Sequence, residues 1–145
     1  METLERERDR ERFIRFVKQN GKAYEPADLP GTIKRSSIGD CFDCCVVNAM
    51  QTEYRYVEGI AIIDGQTFHH AWLTDGIHAF DPTWYAYYGG EKLRVPAEYI
   101  GIEMSIIAVA KFMSATKYKS IFSNGWRNPR LAEEACPGII NLIKK

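Results

Sequence analysis

A chain of 145 residues is long enough for one compact domain with a hydrophobic core and too short for two comfortable ones. Lys plus Arg and Asp plus Glu each total 19, so the formal net charge is zero and the basic excess of a general nucleic-acid binder is missing. A charged first dozen residues with no apolar stretch behind them argues against a secretory signal, and the absence of any run of about 18 apolar residues argues against a membrane span. Cys41, Cys44 and Cys45 crowd together and Cys136 stands apart, a poor disulfide framework that suits reduced thiols and a cytoplasmic setting.

In chain order, residues 3 to 20 predict a helix with Leu4, Phe13, Ile14, Phe16 and Val17 as its apolar side, stopped by Asn20-Gly21. The alternating charges Glu5 to Arg12 read as its solvated face. Residues 22 to 37, with Pro26, Pro30 and Gly31, read as a long irregular connection. A second helix should begin at Asp40 or Cys41, with Gly39-Asp40 as its lead-in turn, and run to about Gln51. Tyr54 to Ile63, Gln66 to Thr74 and Ile77 to Asp81 are rich in β-branched and aromatic residues and are separated by Asp64-Gly65 and Asp75-Gly76. Asp-Gly suits the type I′ turn because both central positions need positive φ, so the segment reads as a three-stranded antiparallel meander. Tyr99 to Glu103 predicts a fourth strand, and Met104 to Ala115 is a strand or a buried helix. A C-terminal helix occupies parts of 129 to 143, broken near Pro137-Gly138. The whole is expected to be one domain over 1–145, with an N-terminal helix (1–21), a core (39–103) and C-terminal elements (104–145).

Two-residue turns fix which residues face each other. Counting back from Asp75-Gly76 opposes Thr74 to Ile77, Leu73 to His78 and His70 to Asp81. Directly opposed side chains share a face with Cβ atoms about 5 Å apart, a good distance for a carboxylate to accept from an imidazole and set its tautomer. The same count from Asp64-Gly65 puts Gly59 opposite His70, leaving space beside the ring for a substrate. His69 points to the other face, opposite Pro82, without such a partner.

A histidine oriented by an aspartate needs a nucleophile to serve. Cys41, at the expected start of the second helix, would place its thiol against the positive end of the helix dipole, where amide N–H groups can also hold an oxyanion. Cys45, one turn deeper on the same face, is the alternative nucleophile. Cys41-Phe42-Asp43-Cys44 is also a C-x-x-C, compatible with half a zinc site or a redox disulfide. No second motif with ligand spacing accompanies it, and neither metal nor cofactor is expected.

These residues resemble the transglutaminase-like branch of the papain-like cysteine enzymes. The order Gly39-Asp40-Cys41, Tyr56-Val57-Glu58-Gly59, His70-Ala71-Trp72 and Asp81-Pro82-Thr83 is similar to that family's G-x-C, glycine-ended strand, H-A-W and D-P-T elements. With Trp84 and Tyr99-Ile100-Gly101 added, it also looks like short bacterial and phage proteins with a Y-V-E-G, H-A-W, D-P-T-W, Y-x-G core. Over residues 39 to 103 the resemblance implies Cys41 as nucleophile, His70 as general base and acid, and Asp81 as orienting carboxylate. It implies an α+β, papain-like/transglutaminase-like fold with the nucleophile helix packed on an antiparallel β-meander. The stretch from Cys41 to Gly59 is shorter than in typical members, and Cys45 stands where the family often has a small residue.

Trp84 and Tyr85, in an aromatic group with Tyr87 and Tyr88, offer a substrate wall beside Asp81. Gln19, Tyr24, Ser36 and Ser37 are candidates for a second oxyanion donor, and Glu58 reads as structural. The expected function is a cysteine-dependent acyl-transfer enzyme, a protease, deamidase or transglutaminase-like thiol hydrolase acting on a protein, peptide or amide substrate. The alternative is a non-catalytic binding or inhibitor module on the same fold. No nucleic-acid or membrane partner is expected, and the sequence leaves the oligomeric state open.

Overall fold

Asp64 and Gly65 both adopt positive φ, 50° and 78°, which is the type I′ geometry that lets strands twist together through a two-residue turn. In the computed structural model, which describes residues 2–35, 41–83, 87–88, 91–92 and 98–143, this turn joins β2 (Arg55–Ile63) to β3 (Gln66–Thr74). Ile63 pairs with Gln66 and the register runs back through Gly59 opposite His70 to Arg55 opposite Thr74.

The second Asp-Gly behaves differently. Gly76 has φ 106°, but Asp75 stays out of the left-handed region and uses its side chain instead: Oδ1 accepts from the amides of Ile77 (2.9 Å) and His78 (2.8 Å). The amide of His78 leads the contacts that hold the Asp75 carboxyl below its usual range. The turn is therefore wider, and β4 (His78–Phe80) pairs Leu73 with Phe80 and Thr74 with Ala79. This corrects the expected opposition of Leu73 to His78. A slip of two residues keeps every side chain on its face, so His70 and Asp81 still share one, placed diagonally instead of directly opposite.

The segment expected to be an irregular connection contains β1 (Lys22–Ala27), which pairs parallel with β4 and antiparallel with β7 (Glu98–Met104). Pro26 lacks an N–H and the strand is short and polar, so local propensity gave no sign of it. The strand forms because two edges flank it, and it closes the barrel in the order β1, β4, β3, β2, β7. Thus the sheet is not only an antiparallel meander. A separate ribbon pairs β5 (Tyr87–Tyr88) with β6 (Glu91–Lys92).

One cluster, Tyr24, Val57, Ala61, Trp72, Ala79 and Tyr99, draws on all five barrel strands, which can only meet inside it. Trp72 fills the middle because Gly101 lies against it: a Cβ there would sit 2.6 Å from Val57 Cγ1 and 2.8 Å from the indole. The opposite face, with Tyr56, Ala71, Leu73 and Phe80, packs against the helices. These are α1 (Glu2–Asn20), α2 (Cys41–Gln51), α3 (Ile106–Thr116), α4 (Ile121–Asn124), α5 (Pro129–Ala135) and α6 (Ile139–Ile143). Residues 104 to 115, ambiguous in sequence, resolve into the end of β7 and α3, separated by the N-cap Ser105. No described helix is long and apolar enough to cross a membrane.

Candidate functional site

Alternation along β3 sends His70 to the same side as Trp72, toward one end of the barrel interior. Both His70 and Asp81 are about 2% exposed or less, and His70 Nε2 lies 2.7 Å from Asp81 Oδ2. The carboxylate also accepts from the Thr83 amide at Oδ1 (2.9 Å) and from the Tyr99 hydroxyl at Oδ2 (2.7 Å). Such a set holds the carboxylate in place, and through it the ring. In the sequence Tyr99 opens an expected strand and a Y-x-G element, with no sign of this contact. Its role depends on β7 lying beside β2 and facing Asp81 across the barrel, which no local pattern encodes.

Cys41 opens α2 and is 7% exposed. Its thiol is hydrogen-bonded to the His70 ring, whose Nε2 is held by Asp81. Burial alone would push the imidazole toward its neutral form. The charge and hydrogen bond of Asp81, helped by Cys41, outweigh that and raise the ring pKa to about 9. At neutral pH the site therefore holds an imidazolium beside a carboxylate. The β3–β4 ladder is short, with registered pairs at Leu73 and Thr74, and α2 packs against β3.

Cys45 is fully buried in the core against Ala71 and Tyr56, and burial first, then the charge of Asp81, pushes its thiol well above the usual range. Its sulfur stays protonated, so the structure does not favour it as nucleophile. Cys44 donates to the Lys34 carbonyl (3.5 Å), and burial pushes the Cys136 thiol up to about 12. Among the described residues no three His, Cys, Asp or Glu side chains are grouped to hold a metal ion.

Gly59 does oppose His70, but the reason for the glycine differs from the one expected. A Cβ there would meet the Ile100 carbonyl oxygen at 2.3 Å and Gly101 Cα at 2.4 Å, so the missing side chain admits β7, not a substrate. Tyr24 is committed to Glu103 Oε2 (3.2 Å), away from an oxyanion role. Gly39, Asp40, Ser36, Ser37, Trp84 and Tyr85 lie outside the described residues. A cleft of about 740 Å³ does reach the site, lined by Arg10, Cys41, Phe42, His69, His70 and Thr83 among others.

His69, expected to lack a carboxylate partner like that of His70, has one. Its Nε2 lies 2.9 Å from Oε1 of Glu58, which sits diagonally across the β2–β3 pair and is fully buried. Glu58 also accepts from the hydroxyls of Ser120 and Tyr56 and the amides of Ile121 and Phe122. Burial opposes the charge of Glu58, but the hydrogen bond and charge of His69, with Ser120 and the Phe122 amide, hold its pKa below the usual range. One carboxylate thus anchors α4 to the barrel.

No family model, curated protein or solved structure matches this chain.

Proposed function

We propose that this chain is a cysteine-dependent acyl-transfer enzyme of the papain-like, transglutaminase-like kind, with Cys41 as nucleophile, His70 as proton carrier and Asp81 as the orienting carboxylate. The observation that carries the reading is the continuous hydrogen-bonded series from the Cys41 thiol through His70 to Asp81, at the mouth of a cleft and the start of a helix. The Cys41 thiolate forms a C–S bond at an amide carbonyl. First-turn amides of α2, which have no intrahelical acceptor, are suited to hold the oxyanion. The imidazolium gives its proton to the departing amine as the C–N bond breaks. Water or a second amine then attacks the thioester, His70 takes its proton, and the C–S bond breaks to restore the thiolate–imidazolium pair. The substrate class is a protein, peptide or side-chain amide.

The rival reading, a binding module that keeps these residues without turnover, draws on the low exposure of Cys41 and His70. Iodoacetamide labelling at pH 6 separates the two. Rapid alkylation of Cys41 alone, slowed at least about tenfold by His70→Ala in a folded protein, is the expected result. Slow labelling of all four cysteines that needs denaturant overturns the enzyme reading.

A further inference from the structure

Glu58 and His69 do not end at one another. The second ring nitrogen of His69, Nδ1, lies 3.1 Å from the Ser123 hydroxyl, and Ser123 is exposed. In the neutral ring an Nε2–H directed at the Glu58 carboxylate leaves the lone pair on Nδ1, where it can accept the Ser123 proton. The ring is held in this orientation by Phe13 and Phe42, whose centroids lie 4.7 and 5.0 Å from its own. A hydroxyl, a base and a fully buried carboxylate thus stand in series on the barrel face opposite to His70. The geometry points to a second reactive centre, in which Ser123 is a hydroxyl nucleophile toward esters with an apolar acyl group, His69 its base and Glu58 the group that orients the base.

The surroundings choose the substrate class. His69 and Ser123 open into a cleft of about 830 Å³ between α1, α4 and α6. Phe122, Trp126 and Leu142 supply apolar wall for an acyl chain. The first amides of α4 are spent on Glu58 and Ser120, so they do not serve an oxyanion. Arg10 and Arg12 also line the cleft, bound to the carbonyls of Thr67 and Leu142 and, for Arg12, to Asp9 (3.7 Å). In the reaction the Ser123 oxygen bonds to the ester carbonyl carbon as its proton passes to His69. The carbon–oxygen bond to the alcohol breaks, and the alcohol leaves with that proton. Water then repeats the sequence on the acyl-serine and releases the acid.

His69 and Arg10 also border the Cys41 cleft, so the centre is tested in Cys41→Ser protein, where the outcome does not depend on the thiol. An alkyl fluorophosphonate should phosphonylate Ser123, forming the O–P bond and expelling fluoride, with the modified peptide identified by mass spectrometry. Ser123→Ala should abolish that adduct. His69→Gln keeps a donor for Glu58 but supplies no base, and should slow labelling about 100-fold or more in protein that still melts cooperatively. Should that variant fail to fold, the decision passes to hydrolysis of a p-nitrophenyl butyrate ester, present in Cys41→Ser and lost in the Cys41→Ser/Ser123→Ala double variant. Absence of an adduct at Ser123, labelling at an unchanged rate in folded His69→Gln, or ester hydrolysis equal in the single and double variants overturns the proposal.

Discussion

Replacing Asp81 by Asn removes one negative charge 2.7 Å from the His70 ring and keeps the side chain's size. In the wild type the ring titrates at about 9 against an ordinary 6.5, although burial pulls it down. That difference corresponds to roughly 3 kcal/mol of extra proton affinity, led by the carboxylate and helped by Cys41. With Asn in place burial is opposed by Cys41 alone, and the ring should titrate near 6.5. At pH 8 a ring titrating near 9 is about nine-tenths protonated and one titrating at 6.5 about 3% protonated, so the imidazolium population falls on the order of 30-fold. The ring protons of His70, one of only three histidines, report this directly in an NMR pH titration. The stability consequence has a definite sign. A raised folded pKa contributes stability that is complete below 6.5 and lost as pH rises through about 9. Wild-type thermal stability should decline across that window, and Asp81→Asn should lack this contribution. A His70 that still titrates near 9 in the variant, or near 6.5 in the wild type, refutes the electrostatic account of the site.

Tyr99→Phe should move His70 the other way: without the Tyr99 hydroxyl, the Asp81 carboxylate has one donor fewer and holds the imidazolium more tightly, so the ring pKa rises, at a stability cost of about 2 kcal/mol measured by urea unfolding. Gly59→Ala drives a Cβ into the backbone of β7 and should destabilise the barrel by about 3 kcal/mol or more, with no gain in access to His70; a near-neutral melting temperature would contradict the close approach of β2 and β7. Glu58→Gln replaces one acceptor among five donors with an amide and should cost about 3–5 kcal/mol. Because the Glu58 pKa is depressed, its contribution is present above 4.5 and lost as pH falls, so the wild type should be acid-labile and the variant's stability flatter on the acid side.

Local chemistry settled a good part of this molecule. Asp64-Gly65 admits only a turn that puts Gly59 opposite His70, and the twofold alternation of strands puts His70 and Asp81 on one face whether the next turn has two residues or four. Cys41 follows from a helix start. Other features depend on which surfaces meet. β1 is a strand because β4 and β7 leave edges for it, despite Pro26, and only barrel closure brings Tyr99 to Asp81. The choice between Cys41 and Cys45 is likewise one of depth: both lie on one side of α2, but packing leaves one beside the imidazole and the other sealed in the core. Glu58, His69 and Ser123 come together only because α4 docks its first turn onto a buried carboxylate more than sixty residues earlier in the chain. Turn chemistry and side-chain period act over a few residues and can be read from them. Closure of a barrel and docking of a helix are decided by long-range burial, which the same few residues do not record.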